Sequence, residues 1–267
     1  MCFEFDARPP ELPAGRALPG IAGGAAAESL VLTSSDGTDF AAAIAESPDA
    51  DGPAVIVLPD VRGLYRFYIE LAERLSEAGH HAIALDYFGR TAGAEQRGED
   101  FDYPAHIPQT TAQNIQLDIA AARDALGERT GAGSFVTLGF CFGGTHSFFA
   151  GTNPDLGLDG VIGFYGLLNP ARRGKAAGNR PSLVEHAAEI RVPVLGLFGG
   201  ADDNIPAEDI AAFDEGLERA GVPHEITVYP GAPHSFFDRK YEEYADASAD
   251  AWARLLDFLD RLPVATT

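Results

Sequence analysis

Three short stretches of this chain concentrate the residue types that do chemistry, and each follows an apolar run. They are Gly139-Phe140-Cys141-Phe142-Gly143, Gly199-Gly200-Ala201-Asp202-Asp203-Asn204 and Gly231-Ala232-Pro233-His234-Ser235-Phe236. Cys141 sits in a Gly-x-Cys-x-Gly setting, the form of a nucleophile elbow with a thiol in place of a hydroxyl. The turn is so sharp that side chains two residues to either side would strike the adjoining strand or helix, hence the glycines. The same turn sets the thiol at a helix N-terminus, whose dipole and free N–H groups favour a thiolate. A thiol nucleophile, an acid and a histidine, each just beyond a strand end, are the parts of acyl-transfer chemistry. Taken singly they mean less: Cys141 as core filler, His234 as a loop histidine, and Asp202, Asp203 or Asn204 as the cap of a helix that Pro206 opens.

Elements must hold these stretches in place. "SLVLTSSDGTDFAAAIA" from Ser29 is two alternating runs around Asp36-Gly37, a hairpin pattern. Strand-sized apolar runs then alternate with amphipathic helices. The sequence predicts "AVIVLPD", a helix near 65–78, "HAIALDY", and a long helix over about 110–126. After these come "FVTLGF", a helix after Cys141, "DGVIGFYG", "VPVLGLFGG", a helix near 207–220, "HEITVYPG" and a terminal helix near 242–262. The fold class expected is α/β, a mostly parallel central sheet with helices on both faces and an antiparallel N-terminal edge hairpin. Chemistry in such sheets gathers at the carboxyl ends of the strands. Residues 1–28, rich in Pro, Gly and Ala, read as an arm, and 29–267 as a single domain.

Composition narrows the function. Forty Asp and Glu against 19 Lys and Arg leave a net charge of -21, which repels phosphate backbones and anionic lipid heads, so neither nucleic acid nor membrane is expected as a partner. No apolar run approaches the roughly 20 residues of a membrane span. The opening "MCFEFDARPP" lacks a basic and an apolar region, and a cytoplasmic location is expected. Cys2 and Cys141 are the two cysteines, too few for a disulfide framework and not spaced for a thiolate metal site. The histidines at 80, 81, 106, 146, 186 and 224 are not spaced as metal ligands on any one element, and no nucleotide-binding fingerprint occurs, so neither metal nor cofactor is expected.

Nucleophile, acid and histidine in that chain order resemble the α/β-hydrolases, and in particular the dienelactone hydrolase family with its cysteine nucleophile. "GFCFGG" around Cys141, "FGGADDNIP" around Asp202 and "YPGAPHSFFDR" around His234 carry the resemblance. "LPDVRGLYRFY" and "LDYFGR" extend it, so it spans roughly 55–239. It implies Cys141 as nucleophile, His234 as base and acid, and Asp202 as the group orienting the imidazole. The backbone N–H groups of Val61 and Phe142 are implied as oxyanion donors. Asp60 matches a position where the family often has glutamate near the thiol. Arg90 matches an arginine that binds a substrate carboxylate in the family, a task that suits a guanidinium fork. Arg62 replaces an aromatic or apolar residue of the oxyanion loop and is expected, with Asp60 and Arg90, to line the substrate pocket, and a second family arginine is displaced here, with Asp238 intervening and Arg239 one place late.

The function expected is cleavage of a carboxylic ester or lactone through a Cys141-His234-Asp202 triad and a thioester acyl-enzyme, by a monomer or homodimer acting on a small molecule. The same site could serve a broad-specificity esterase or thioesterase, or a phosphotriester hydrolase, and a non-catalytic ligand-binding homologue is a further alternative. A redox role would want Cys2 as resolving thiol. Residues 89–108 form the longest insertion near the strand ends, a candidate cover for the pocket, and Arg172, Arg173, Lys175 and Arg180 form a local basic cluster.

Overall fold

The apolar runs become eight strands. β1 (Glu28–Thr33) and β2 (Asp39–Ala45) form the opening hairpin, and β3 (Ala54–Leu58) and β4 (Ala82–Leu85) flank α1 (Arg66–Glu77). Two single-turn helices, α2 (Gly89–Ala92) and α3 (Tyr103–His106), interrupt the long insertion before α4 (Ala112–Thr130). Then follow β5 (Phe135–Phe140), α5 (Phe142–Ala150), β6 (Gly160–Phe164), α6 (Leu183–His186), β7 (Val194–Gly199), α7 (Ala207–Ala220), β8 (His224–Tyr229) and α8 (Ala245–Arg261). The structure is a computed structural model and describes residues 6–18, 26–238 and 241–263. Cys2 and Arg239 lie outside the described residues.

Strand order across the sheet is β1-β2-β4-β3-β5-β6-β7-β8. β1 pairs antiparallel with β2 and β2 antiparallel with β4, and every other pairing is parallel. β2 therefore runs against the parallel body, and β1, antiparallel to β2, runs with it. β3, β5, β6 and β7 are buried along their whole length, as strands covered on both faces must be. β8, at the far edge, is mostly half-exposed.

Helix ends follow local chemistry. Thr111 caps α4 by accepting from the Asn114 N–H, and Gly131 closes it in the left-handed region at φ 76. α4 runs to Thr130, four residues beyond the pattern's expectation, continuing through Gly127, where a Cβ would come within 3.1 Å of the Phe135 ring. α8 begins at Ala245, three residues late, since 241–244 form turns. Residues 6–18 of the arm lie against α1 and α8: Leu18 N–H bonds Glu77 O at 2.8 Å, and Arg16 reaches Asp260 at 2.8 Å and Asp257 at 3.2 Å.

Register decides what meets at the carboxyl edge. Leu58 pairs with Gly139, Phe140 with Phe164, Phe164 with Leu197, and Gly199 with Tyr229. The loops after β3, β5, β6, β7 and β8 consequently open side by side.

Candidate active site

Cys141 stands between β5 and α5 with φ 52 and ψ -106, a backbone conformation that a side chain other than hydrogen adopts only where the surroundings impose it. The neighbours impose it here. A Cβ on Gly139 would come within 2.0 Å of Gly143 O, and one on Gly143 within 2.0 Å of Leu58 O, so strand, helix and β3 can approach this closely only with glycine at both places. Cys141 N–H bonds Phe164 O at 3.0 Å and Gly143 N–H bonds Pro59 O at 3.0 Å, pinning the turn to both adjacent strand ends. Ser147 Oγ donates to Ile162 O at 2.8 Å and holds α5 on the sheet. The thiol itself is half-buried and unpaired with any cysteine.

Beyond β3 the chain folds back on Asp60. Its carboxylate accepts the Arg62 N–H at 2.8 Å and its carbonyl accepts the Gly63 N–H at 3.1 Å, so Asp60 shapes the turn that carries Val61. Among the described residues, neither the Val61 nor the Phe142 backbone N–H has a hydrogen-bond partner. Asp60 is buried and forms an ion pair with Arg62 at 3.4 Å, while the Arg62 guanidinium lies over the Tyr65 ring at 4.2 Å and donates to its hydroxyl.

The acid and the histidine meet because their loops are laced together. Gly200 N–H bonds Tyr229 O at 2.8 Å and Ala201 N–H bonds Ala232 O at 2.9 Å. His234 Nδ1 then lies 2.6 Å from Asp202 Oδ2. The other Asp202 oxygen accepts from the backbone N–H and side-chain amide of Asn204, each at 2.9 Å. Burial alone would raise Asp202, but His234 and Asn204 outweigh it and hold the carboxyl below its usual range. Asp203, the alternative acid, is not the partner of the imidazole. Burial would likewise push His234 down, and the negative charge at Cys141 with the Asp202 hydrogen bond instead raises it to about 10.

Arg90 goes elsewhere. Its guanidinium bonds Asp118 on α4 at 2.8 and 3.0 Å and Asp36 in the hairpin turn at 2.8 Å, and the Asp118 carboxylate also takes the Ser34 hydroxyl. The donors that would hold a substrate carboxylate are thus already used in joining the hairpin to α4. A different arginine, Arg97, is buried, pairs with Asp86 at 2.7 Å, and lies over the Phe101 ring at 4.8 Å. With its bonds to the carbonyls of Ala92 and Gly93 it anchors the 89–108 insertion to the end of β4. Arg180 of the basic cluster lies over the Phe142 ring at 5.0 Å, and Arg172 pairs with Asp209 at 2.5 Å.

Two further groups in these loops carry weaker sequence signals. Tyr165, fully buried with φ 39, directly follows β6, and its ring centroid is 5.1 Å from that of His234. The rule that chemistry gathers at strand ends would have drawn attention to it in "GFYG". Asp238, four residues after His234, is fully buried, and neither of its oxygens has a hydrogen-bond partner among the described residues. His146, buried against Phe142 with ring centroids 4.5 Å apart, is pushed down to about 3 by burial and the Arg180 charge, and stays neutral. Among the described residues no group of three or more His, Cys, Asp or Glu could hold a metal ion, and no helix is long and apolar enough to cross a membrane.

Known proteins resemble this chain along most of its length. A carboxymethylenebutenolidase of Rhodococcus opacus is 32% identical over 227 residues, covering 81% of this chain and 84% of its own length. A Salmonella typhimurium protein assigned the same activity is 32% identical over 246 residues, 88% of this chain and 87% of its own. The crystal structure of a Klebsiella pneumoniae protein assigned as a dienelactone hydrolase superposes with a TM-score of 0.73 at 26% identity, covering 88% of this chain and 99% of the other. The sequence profile of the dienelactone hydrolase family itself matches residues 40–262, from β2 to the end of α8 and through all three loops that carry Cys141, Asp202 and His234, and the chain belongs to that family of α/β-hydrolases.

Proposed function

We propose that this protein hydrolyses carboxylic esters or lactones through a Cys141-His234-Asp202 triad and a thioester acyl-enzyme. The observation that carries the reading is the elbow: Cys141 held at φ 52 at the head of α5, with the His234-Asp202 pair of 2.6 Å beside it. The raised His234 favours a resting imidazolium next to the thiolate, the charge state from which a cysteine nucleophile attacks. The thiolate adds to the ester carbonyl, and the oxyanion is met by the Val61 and Phe142 N–H groups, donors worth on the order of 10²–10³ each in rate. His234 gives its proton to the leaving alkoxide, then takes one from the water that cleaves the thioester, so that the acid is released and the thiolate and imidazolium are regenerated. Asp202 keeps the imidazole in the tautomer that leaves Nε2 toward the thiol throughout.

The relatives named as carboxymethylenebutenolidases support a lactone as one substrate class. Hydrolysis of a chromogenic short-chain ester by the purified protein tests the reading. Cys141→Ala and iodoacetamide are each expected to abolish turnover, and full activity in Cys141→Ala would overturn the mechanism.

A further inference from the structure

The loop after β3 is fixed at both ends by groups outside it. At its start, Pro59 O accepts the Gly143 N–H at 3.0 Å and the Tyr87 hydroxyl at 2.8 Å. At its far end the Leu64 N–H bonds Asp86 Oδ1 at 3.0 Å, and Gly63, at φ 77, passes so close that a Cβ there would come within 2.3 Å of the same oxygen. Val61 stands between these anchors. Its N–H, without a hydrogen-bond partner among the described residues, is one of the two oxyanion donors in the reading above.

Two charged side chains of the loop itself hold this middle. Asp60 Oδ1 accepts the Arg62 N–H at 2.8 Å, which closes the turn around Val61. The Arg62 side chain then returns to the same carboxylate, with Nε 3.4 Å from Oδ1 and a terminal nitrogen 3.4 Å from Oδ2. The guanidinium also rests on the buried Tyr65 ring at 4.2 Å and donates to its hydroxyl, which joins it to the residue that opens α1. A planar fork can make these contacts together, where a single ammonium could not. We propose that Asp60 and Arg62 are positioning residues, a closed ion pair that holds the Val61 N–H where the oxyanion forms. The proposal rests on the ester-hydrolysis reading above, and in this role neither side chain need touch the substrate.

Burial makes the pair stiff. A carboxylate taken out of water needs a partner, and Arg62, with 13% of its side chain exposed, supplies one from two residues away. The peptide between them has little freedom to turn Val61 aside. An oxyanion donor acts in the transition state, and a displacement of about 1 Å in a group of this kind can cost on the order of 10²-fold. The contribution of the pair therefore belongs to kcat, with KM little changed. Opposite charges add a second signature. A through-space effect on the Cys141 thiolate would have opposite signs for loss of Asp60 and loss of Arg62, whereas loss of position has the same sign for both.

The experiment measures kcat and KM on a neutral chromogenic ester, and the rate of Cys141 alkylation by iodoacetamide, for wild type, Asp60→Asn, Arg62→Met, the double variant and Cys141→Ala. Alkylation passes through no oxyanion and so reads the thiolate alone. Asp60→Asn and Arg62→Met are each expected to lower kcat by about 10–100-fold, part of the worth of one oxyanion donor, without slowing alkylation in step. Because the two side chains act as a unit, the double variant is expected to lose no more than the larger single loss. Arg62→Lys keeps a charge within reach of Asp60 but lacks the fork, and is expected to recover part of the Arg62→Met loss. With Arg62→Met it carries the test should Asp60→Asn fold poorly.

Alkylation that slows in step with kcat in both variants would make the pair a determinant of the thiol and overturn the proposal. So would an unchanged kcat in either variant, a loss carried by KM, additive losses in the double variant, or no recovery with lysine. Each of these, beside an inactive Cys141→Ala, would leave the triad standing. Full activity in Cys141→Ala would remove both.

Discussion

At the scale of single residues, the site depends on groups held in states they would not adopt in water. His234 is the central case, since Asp202 and Cys141 outweigh the burial that opposes its charge. The alkaline limb of kcat/KM should fall near 10, where the imidazolium loses the proton it must give to the leaving group. Asp202→Asn takes away one of the interactions that raise His234, so its limb should move to lower pH while the rate drops by about 10³–10⁴-fold. A pH series on both proteins checks the direction, and an unmoved limb would assign it to another group. Cys141, Asp202 and His234 were legible in the sequence because each sits one short turn beyond an apolar run. The contact of Tyr165 with the imidazole was not, since "GFYG" marks a strand end without reporting that its tyrosine packs on a histidine 69 residues later.

Two buried ion pairs join elements, and both involve arginines near the end of β4. Arg90 joins α2 to α4 and the hairpin turn, and Arg97 ties the insertion to Asp86, whose carboxylate also takes the Leu64 and Phe88 N–H groups at 3.0 and 2.8 Å. Removing the arginine leaves a buried carboxylate without its counter-charge, which costs about 3–5 kcal/mol. Arg97→Ala and Arg90→Ala are each expected to lower the unfolding free energy by that order, read by urea unfolding. Arg90→Ala should reduce turnover of carboxylate-bearing and neutral esters alike. A loss confined to carboxylate-bearing substrates would return Arg90 to the substrate pocket. The "LDYFGR" match pointed to substrate binding because position in a motif was the available guide. Asp118, 28 residues farther on in α4, is the partner that redirects it.

The whole molecule carries its acidity on a surface where several cations are already paired. Arg16, Arg123, Arg129 and Arg254 all bond nearby carboxylates, and the net charge remains -21. Self-repulsion of this size opposes the compact state and is screened within about 10 Å at 0.1 M salt. The melting temperature should therefore rise between low and moderate sodium chloride, by about 2–4 °C for each kcal/mol of repulsion relieved. Calorimetry across a salt series measures it, and a flat or falling curve would mean that the surface ion pairs matter more than the net charge. The alternation of strands and helices was legible at this scale, as was the antiparallel opening. Strand order and register were not, because pairing partners such as Phe140 and Phe164 are chosen across the sheet and leave no trace in local periodicity.

By itself the sequence determined the elbow at Cys141 and the chain order of Cys141, Asp202 and His234. The elbow's glycines answer a clash between residues two apart, and the strand-helix rhythm is a property of neighbouring residues. The tertiary structure alone decided that Asp202 rather than Asp203 meets His234, that Arg90 serves the hairpin and α4, and that Tyr165 packs on the imidazole. Those outcomes depend on which loops the register brings side by side and on which charges low-dielectric burial forces into company.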